Sequence, residues 1–311
     1  MKTFPQVAAF KGNDSTIRII GHRGARGIMP ENSMIGFELT LSNGVSLLEF
    51  DVILTADRIP VITHNHHVHA PTFRDKKGFF VEGIEPKISE LTFAEIESFD
   101  IGRTNSLSIY GKRFPEQAQL DGIRVPRLSE LLALVNKPEY LHAHLMLEVK
   151  SDPIFADDTQ AKKILVHKIV QEIRTYSLED RTILHSFDWG LLAECQRQAP
   201  DMPTSFLTEL PNNIDGVGED SSNAIGPDLR ACAADIPDMV KKEGGLFWCP
   251  YFKDVTVKSI KHAQNIGLCV GVWTVNEEID IDKMIDFGVD AIVTDYPERL
   301  QQRLFKRGFT T

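Results

Sequence analysis

The sequence predicts an α/β fold, a (β/α)8 barrel elaborated by an insertion after its second strand. Three observations predict it. Apolar strand-like runs alternate with helix-like runs along most of the chain, which implies a parallel sheet covered by helices. The runs centred near residues 18, 48, 146, 184, 205, 248, 271 and 293 are eight in number, enough to close a barrel. Setting aside residues 66–122 leaves a chain of the usual barrel size, about 250 residues. An open doubly wound sheet would carry G-x-G-x-x-G after its first strand, whereas Gly21, Gly24 and Gly27 in GHRGARG are spaced differently. The chain therefore reads as one domain, 1–311, with 66–122 an insertion or cap within it.

Residues 1–16 read as a polar approach. TIRIIGH (16–22) is β-branched, apolar and bounded by glycine, hence a buried strand. Pro30, Glu31 and Asn32 open a helix whose body is Ile35, Phe37, Leu39 and Leu41, and Asn43-Gly44 closes it. VSLLEFDVIL (45–54) is the second strand, and IPVITH (59–64) a short extended piece. The section 66–122 breaks this rhythm, with NHHVHAPTFRDKKG, a helix-like LTFAEIESF and a long polar run. Alternation resumes with a helix in VPRLSELLALV, capped by Ser129, and the strand 141–150. Residues 159–176 form an amphipathic helix with Ile164, Leu165, Ile169 and Ile173 on one face. Strand 182–187 and a helix begun by Asp188 follow, then strand 202–209 and a loop over 212–227. A helix over 228–243, interrupted by Pro237, leads to strand 245–250 and a helix ended by Gly267. Strand 268–276, a helix ended by Gly288, strand 290–295 and a helix with Pro297 in its first turn complete the chain.

A hydrophobic content of 42% with 25% charged residues is that of a globular protein. The formal net charge of −10 argues against a nucleic-acid or anionic-membrane binder, which needs a basic face. An anionic substrate would have to be drawn by local cations such as Arg23 and Arg26. The longest apolar run falls short of the ~18 residues of a membrane span. Cys195, Cys232, Cys249 and Cys269 are scattered without a CxxC pair, which reads as reduced core residues of a cytoplasmic protein. The N-terminal stretch is interrupted by Pro5 and too short for a secretory leader, although a removed leader would leave no trace.

Chemistry gathers at the predicted strand ends. In a strand, residues i and i+2 share a face, so Glu49 and Asp51 project together, as do Glu148 and Lys150. In a parallel barrel the C-terminal ends of the strands carry the working residues, which places His22, Glu49, Asp51, His64, Glu148 and Lys150 at one mouth. One acid pair alone is equally well explained as a salt-bridge network with Arg23 or Lys150. Three carboxylates at one level fit an oxygen-ligand site for one divalent cation, Mg²⁺ or Ca²⁺. Two histidines beside such a site read as general acid and general base rather than as hydrogen-bonded core residues. His66, His67 and His69 are spaced for chelation but lie beyond the strand end, where a rim role is expected. His144 shares the Glu148 face at a deeper level, where a hydrogen-bonded structural role is expected.

The ordered motifs GHRG, PENS, EFDV, the histidine after PVIT, LEVK, VGVWTVN and IVTDYPERL resemble the glycerophosphodiester phosphodiesterase family from Arg18 to Leu300, apart from the 66–122 section. The resemblance implies a β/α barrel that, with one divalent cation, hydrolyses glycerophosphodiesters, such as glycerophosphocholine or glycerophosphoethanolamine, to glycerol 3-phosphate and an alcohol. It makes Glu49, Asp51 and Glu148 the metal ligands and His22 and His64 the acid–base pair. Arg23 and Lys150 become phosphate contacts, and Trp273 an aromatic wall beside the substrate. It departs at Asn65, where the family usually has aspartate after the second histidine. Asparagine keeps the carbonyl acceptor and loses the charge, so a slower enzyme or a differently held metal is expected. Other readings are a lysophospholipase D-type activity on a lipid-like phosphodiester and a barrel that binds phosphodiesters without turnover. Phe79, Phe80 and Tyr110 of the insertion would then line a pocket for a larger group. A glycosidase would need the paired acids but not the histidines and cations around them, and a metal-independent two-histidine phospholipase C would not need three acids.

Overall fold

Strands that are apolar on both faces must be buried on both faces, and a ring of parallel strands inside a shell of helices satisfies that. The structure, a computed structural model, describes residues 4–13, 15–152, 158–210, 229 and 235–310. Its strands are β1 (Arg18–His22), β2 (Leu47–Leu54), β3 (Pro60–Ile62), β4 (His144–Val149), β5 (Thr182–Ser186), β6 (Thr204–Thr208), β7 (Phe247–Pro250), β8 (Cys269–Val272) and β9 (Ala291–Thr294). The order is β1-β9-β8-β7-β6-β5-β4-β2-β3, and pairing of β1 with β2 closes the ring. Eight strands run parallel, while β3 turns back antiparallel on the outer end of β2. This is the predicted eight-stranded β/α barrel.

The helices are α1 (Pro5–Phe10), α2 (Met34–Ser42), α3 (Phe93–Ile96), α4 (Ile109–Arg113), α5 (Leu128–Val135), α6 (Thr159–Thr175), α7 (Trp189–Gln198), α8 (Ile236–Lys242), α9 (Val257–Asn265), α10 (Glu278–Phe287) and α11 (Pro297–Lys306). Short polar caps start several of them. Ser33 accepts from Gly36 N–H, Asp158 from Gln160 and Ala161, Asp188 from Leu191, and Thr256 from Ser259. Each cap satisfies an amide that the first helical turn leaves unpaired.

Several elements differ from expectation. The N-terminal approach is not merely polar: α1 carries Phe10, fully buried, into the lower end of the barrel beside Ile20, Leu47, Met146 and Phe247. Pro5 in the first turn and the apolar residues behind it were the signal. Pro30–Asn32 precede α2 instead of opening it. Asn32 takes a left-handed conformation (φ 52°), and Ser33 is the cap. Arg127 rather than Ser129 caps α5, its N–H donating to Glu130. Pro237 sits in the first turn of α8, and residues 228 and 230–234 of the expected helix 228–243 lie outside the described residues. Val166 and Val170 join Ile169 and Ile173 on the buried face of α6, leaving Ile164 and Leu165 half-buried. The expected loop over 212–227 and the residue Cys232 lie outside the described residues. The helix-like run 91–99 contains only one short turn, α3. Around it Val68, Phe73, Ile88, Phe93, Ile96 and Ile101 pack on Ile53 and Val61 of the β2–β3 hairpin, forming a small core of their own.

Cys195, Cys249 and Cys269 are free and buried, as expected of reduced core residues. No helix among the described residues is long and apolar enough to cross a membrane.

Candidate active site

Strand register sets the level of the site. His22 pairs with Glu49 across β1–β2, Asp51 with Glu148 across β2–β4, and Glu148 with His185 across β4–β5. These polar side chains occupy the upper end of the barrel interior, as apolar ones fill the lower. Carboxylate oxygens of Glu49, Asp51 and Glu148 lie within 4.8 Å of one another, and all three residues are buried.

Cations balance the acids unevenly. Lys150 Nζ lies 2.9 Å from Glu148 and 3.6 Å from Asp51, and Arg23 Nε lies 3.3 Å from Asp51. Asn32 donates to Asp51 at 2.9 Å. Burial opposes the charge of Asp51, but His64, Arg23 and Lys150 outweigh it and hold the carboxyl well below the usual range. Glu49 goes the other way, pushed well up by burial and by Asp51 and Glu148, although Arg23 N–H donates to it at 3.0 Å. Burial also raises Glu148, to about 7, against the pull of Lys150. The Lys150 ammonium is raised in spite of burial because Glu148 and Asp51 face it. Three buried acids with more negative charge than their neighbours neutralise, offering only hard oxygen donors, fit a divalent cation. Among the described residues this is the one such group, and His66, His67 and His69 do not form another.

The two histidines are braced differently. His22 Nδ1 lies 2.7 Å from Asp295 Oδ1, while its Nε2 lies 3.8 Å from Glu49. Asp295, fully buried, also accepts from Arg26 at 2.7 and 3.1 Å and from Asn276 at 2.7 Å. Burial works against its charge, but Arg26 and His22 hold its carboxyl well below the usual range. Burial and then Arg26 depress the His22 imidazolium, and Asp295 partly restores it. A carboxylate only accepts, so the His22 proton sits on Nδ1 and Nε2 is left for chemistry. His64 Nδ1 lies 2.8 Å from Asn65 Oδ1. The substituted asparagine therefore keeps the orienting acceptor.

His22, Arg23, Glu49, His64, Glu148 and His185 line a cavity of about 30 Å³ whose apolar wall is Phe187, Leu207, Val293 and Trp273. Trp273 is fixed by an indole N–H donated to the Cys249 carbonyl at 3.0 Å and by edge contact with Phe187. Of the residues expected at the mouth, Lys150 borders it through Glu148 and Asp51. Phe79 is 68% exposed, whereas Tyr110 is buried against the barrel. His144 sits at the lower end of β4, bonded to the His142 carbonyl, as expected for a structural residue.

Sequence reasoning missed Asp295, His185 and the paired role of Arg26. Asp295 and His185 both stand at the end of predicted strands, the position that flagged His22 and Glu148, and that signal would have found them. His185 is buried beside Glu148, bonded to Ser205 Oγ at 2.8 Å, and burial lowers its pKa to about 3, so it is neutral.

Fold and mouth together define the class: a β/α-barrel enzyme working at the C-terminal face of its strands. The chain belongs to the glycerophosphoryl diester phosphodiesterase family, whose profile matches residues 22–299. It is on that footing a phosphoric diester hydrolase. A solved structure designated a glycerophosphoryl diester phosphodiesterase, from Silicibacter pomeroyi DSS-3, is 46% identical, superposes with a TM-score of 0.90 and covers 99% of both chains. A glycerophosphodiester phosphodiesterase of Caldanaerobacter subterraneus subsp. tengcongensis is 26% identical over 93% of this chain and 98% of its own. An Oleispira antarctica phosphodiesterase, solved with the product sn-glycerol 3-phosphate, shares the fold at 20% identity, with a TM-score of 0.69 and coverage of 93% and 97%.

Proposed function

We propose that the chain hydrolyses glycerophosphodiesters, glycerophosphocholine and glycerophosphoethanolamine among them, to glycerol 3-phosphate and an alcohol. The observation that carries this reading is the pairing of two oriented histidines, His22 and His64, around one cavity beside three clustered acids. Glu49, Asp51 and Glu148 would hold one divalent cation, Mg²⁺ or Ca²⁺, which when bound supplies Lewis-acid polarisation of a phosphate oxygen and acidifies a hydroxyl. Arg23 and Lys150 place positive charge where the equatorial oxygens gain negative charge. His64, braced by a neutral acceptor, takes the proton of the nucleophile at Nε2; that nucleophile is a water, or an adjacent glycerol hydroxyl whose attack gives a cyclic phosphate that a water then opens to glycerol 3-phosphate. His22, whose protonated form Asp295 supports, gives its Nε2 proton to the leaving alcohol oxygen. Trp273 and Phe187 pack the glycerol carbons and keep bulk water from the reacting bond.

Release of choline from glycerophosphocholine, with and without EDTA, on the wild type and on His22→Ala, tests this. Expected are activity restored by added Mg²⁺ or Ca²⁺ and a loss of about 100-fold or more in the variant. Activity that survives EDTA would remove the metal from the reading. No turnover with any divalent cation would leave a barrel that only binds phosphodiesters.

A further inference from the structure

The segment 66–122 meets the mouth on the side of Arg23. Tyr110, on α4, is 4% exposed, and its hydroxyl donates to Glu31 Oε2. Glu31 accepts from the Arg23 guanidinium through both oxygens, at 3.2 and 3.1 Å, and the same guanidinium lies 3.3 Å from Asp51. The ring of Tyr110 is wedged between His69 and Phe114, with centroids 5.3 and 5.0 Å away. Phe114 in turn lies under Arg26, and Gln117 donates to the Arg26 carbonyl at 2.7 Å. Burial and the charge of Glu31 push the Tyr110 hydroxyl well above its ordinary range, so it remains a donor.

We infer that Tyr110 is a positioning residue of the phosphate site: its hydroxyl fixes Glu31, and Glu31 holds the Arg23 guanidinium beside Asp51. This rests on the reading of Arg23 as a phosphate contact. Physically, an arginine between two carboxylates has two resting places. One is Asp51, which belongs to the acid trio, and the other is Glu31, which does not. A Glu31 free to rotate would leave Arg23 to settle on Asp51 alone, and the guanidinium plane would lose its fixed direction. The phenol removes that freedom with one charge-assisted hydrogen bond. The segment 66–122 thereby contributes to the binding of any phosphodiester, through a residue that touches no substrate.

Coupling separates this role from simple support of the fold. Tyr110→Phe is made in the wild type and in Arg23→Ala, and the dissociation constant for sn-glycerol 3-phosphate is measured by calorimetry, with KM and kcat on glycerophosphocholine alongside. Expected is about fivefold to tenfold weaker binding on loss of a charged hydrogen bond in the wild-type background, with KM rising more than kcat falls. In Arg23→Ala the same substitution should change nothing further. Equal losses in both backgrounds, or no loss in the wild type, would overturn the inference. If Arg23→Ala itself binds the probe as tightly as the wild type, the parent reading of Arg23 fails instead, and the inference with it. Should Tyr110→Phe not fold, Tyr110→Leu carries the same cycle, since it keeps apolar volume between His69 and Phe114 and removes the hydroxyl that holds Glu31.

Discussion

Asp295→Asn separates the chemistry of His22 from its surroundings. The substitution keeps the volume and one carbonyl acceptor but removes a charge shared by His22 and the fully buried Arg26. Breaking a buried ion pair costs about 3–5 kcal/mol, and the retained acceptor places this case near the lower end. An unfolding entropy of about 2.1 cal/mol/K per residue over 311 residues gives roughly 0.65 kcal/mol/K, so the melting temperature should fall by about 5 °C. The asparagine amide can present a donor instead of an acceptor to Nδ1, favouring the wrong tautomer. Loss of an orienting carboxylate lowers kcat by about 10²–10⁴-fold in comparable arrangements, with KM little changed. The acid limb of stability should also change. A carboxyl held low in the folded state contributes stability that is complete above its unfolded value of about 3.9 and is lost as pH falls below it. The variant should therefore lose less stability between neutral pH and pH 3 than the wild type does. Turnover of glycerophosphocholine and melting by circular dichroism read both effects. A folded variant with kcat within about threefold of wild type would refute the assignment, because a carboxylate that orients a catalytic histidine is expected to be worth about a hundredfold or more.

Two further outcomes follow from the same geometry. Phe10→Ala opens the lower end of the barrel, so chemical denaturation should show a loss of about 3–5 kcal/mol with kcat unchanged; a fall in kcat without a fall in stability would count against the separation of the two ends. Asn65→Ala should lower kcat about tenfold by removing the acceptor of His64 Nδ1, while Asn65→Asp should retain or exceed wild-type turnover, and equal rates for Ala and Asn would mean that the contact does not orient the ring.

The barrel was legible because period-2 and period-3.6 patterns repeat along the chain and the sheet tolerates apolar residues on both faces. The mouth was legible because strand pleating alone puts Glu49 beside Asp51 and Glu148 beside Lys150, and strand ends alone place both pairs at one level. Phe10 was missed because a six-residue helix carries little periodicity, and its burial depends on a cavity that eight distant strands create. The bounds of α2 were missed because Asn32 adopts a left-handed backbone to reach Asp51, a tertiary demand that local helix-start rules do not contain.

The two histidines show where such reading stops. The partner of His64 is its own neighbour, so the replacement of a charged acceptor by Asn65 is visible in the chain, and so is the fact that a carbonyl oxygen survives. The partner of His22 is 273 residues away. It becomes a neighbour only because β1 pairs with β9 when the barrel closes. One histidine is thus held by a charge that is itself neutralised by Arg26, the other by an uncharged amide. In the proposed mechanism that difference in bracing is what sets the acid, His22, apart from the base, His64. Closure of the barrel creates that difference in bracing, which explains why neither motif alone shows it.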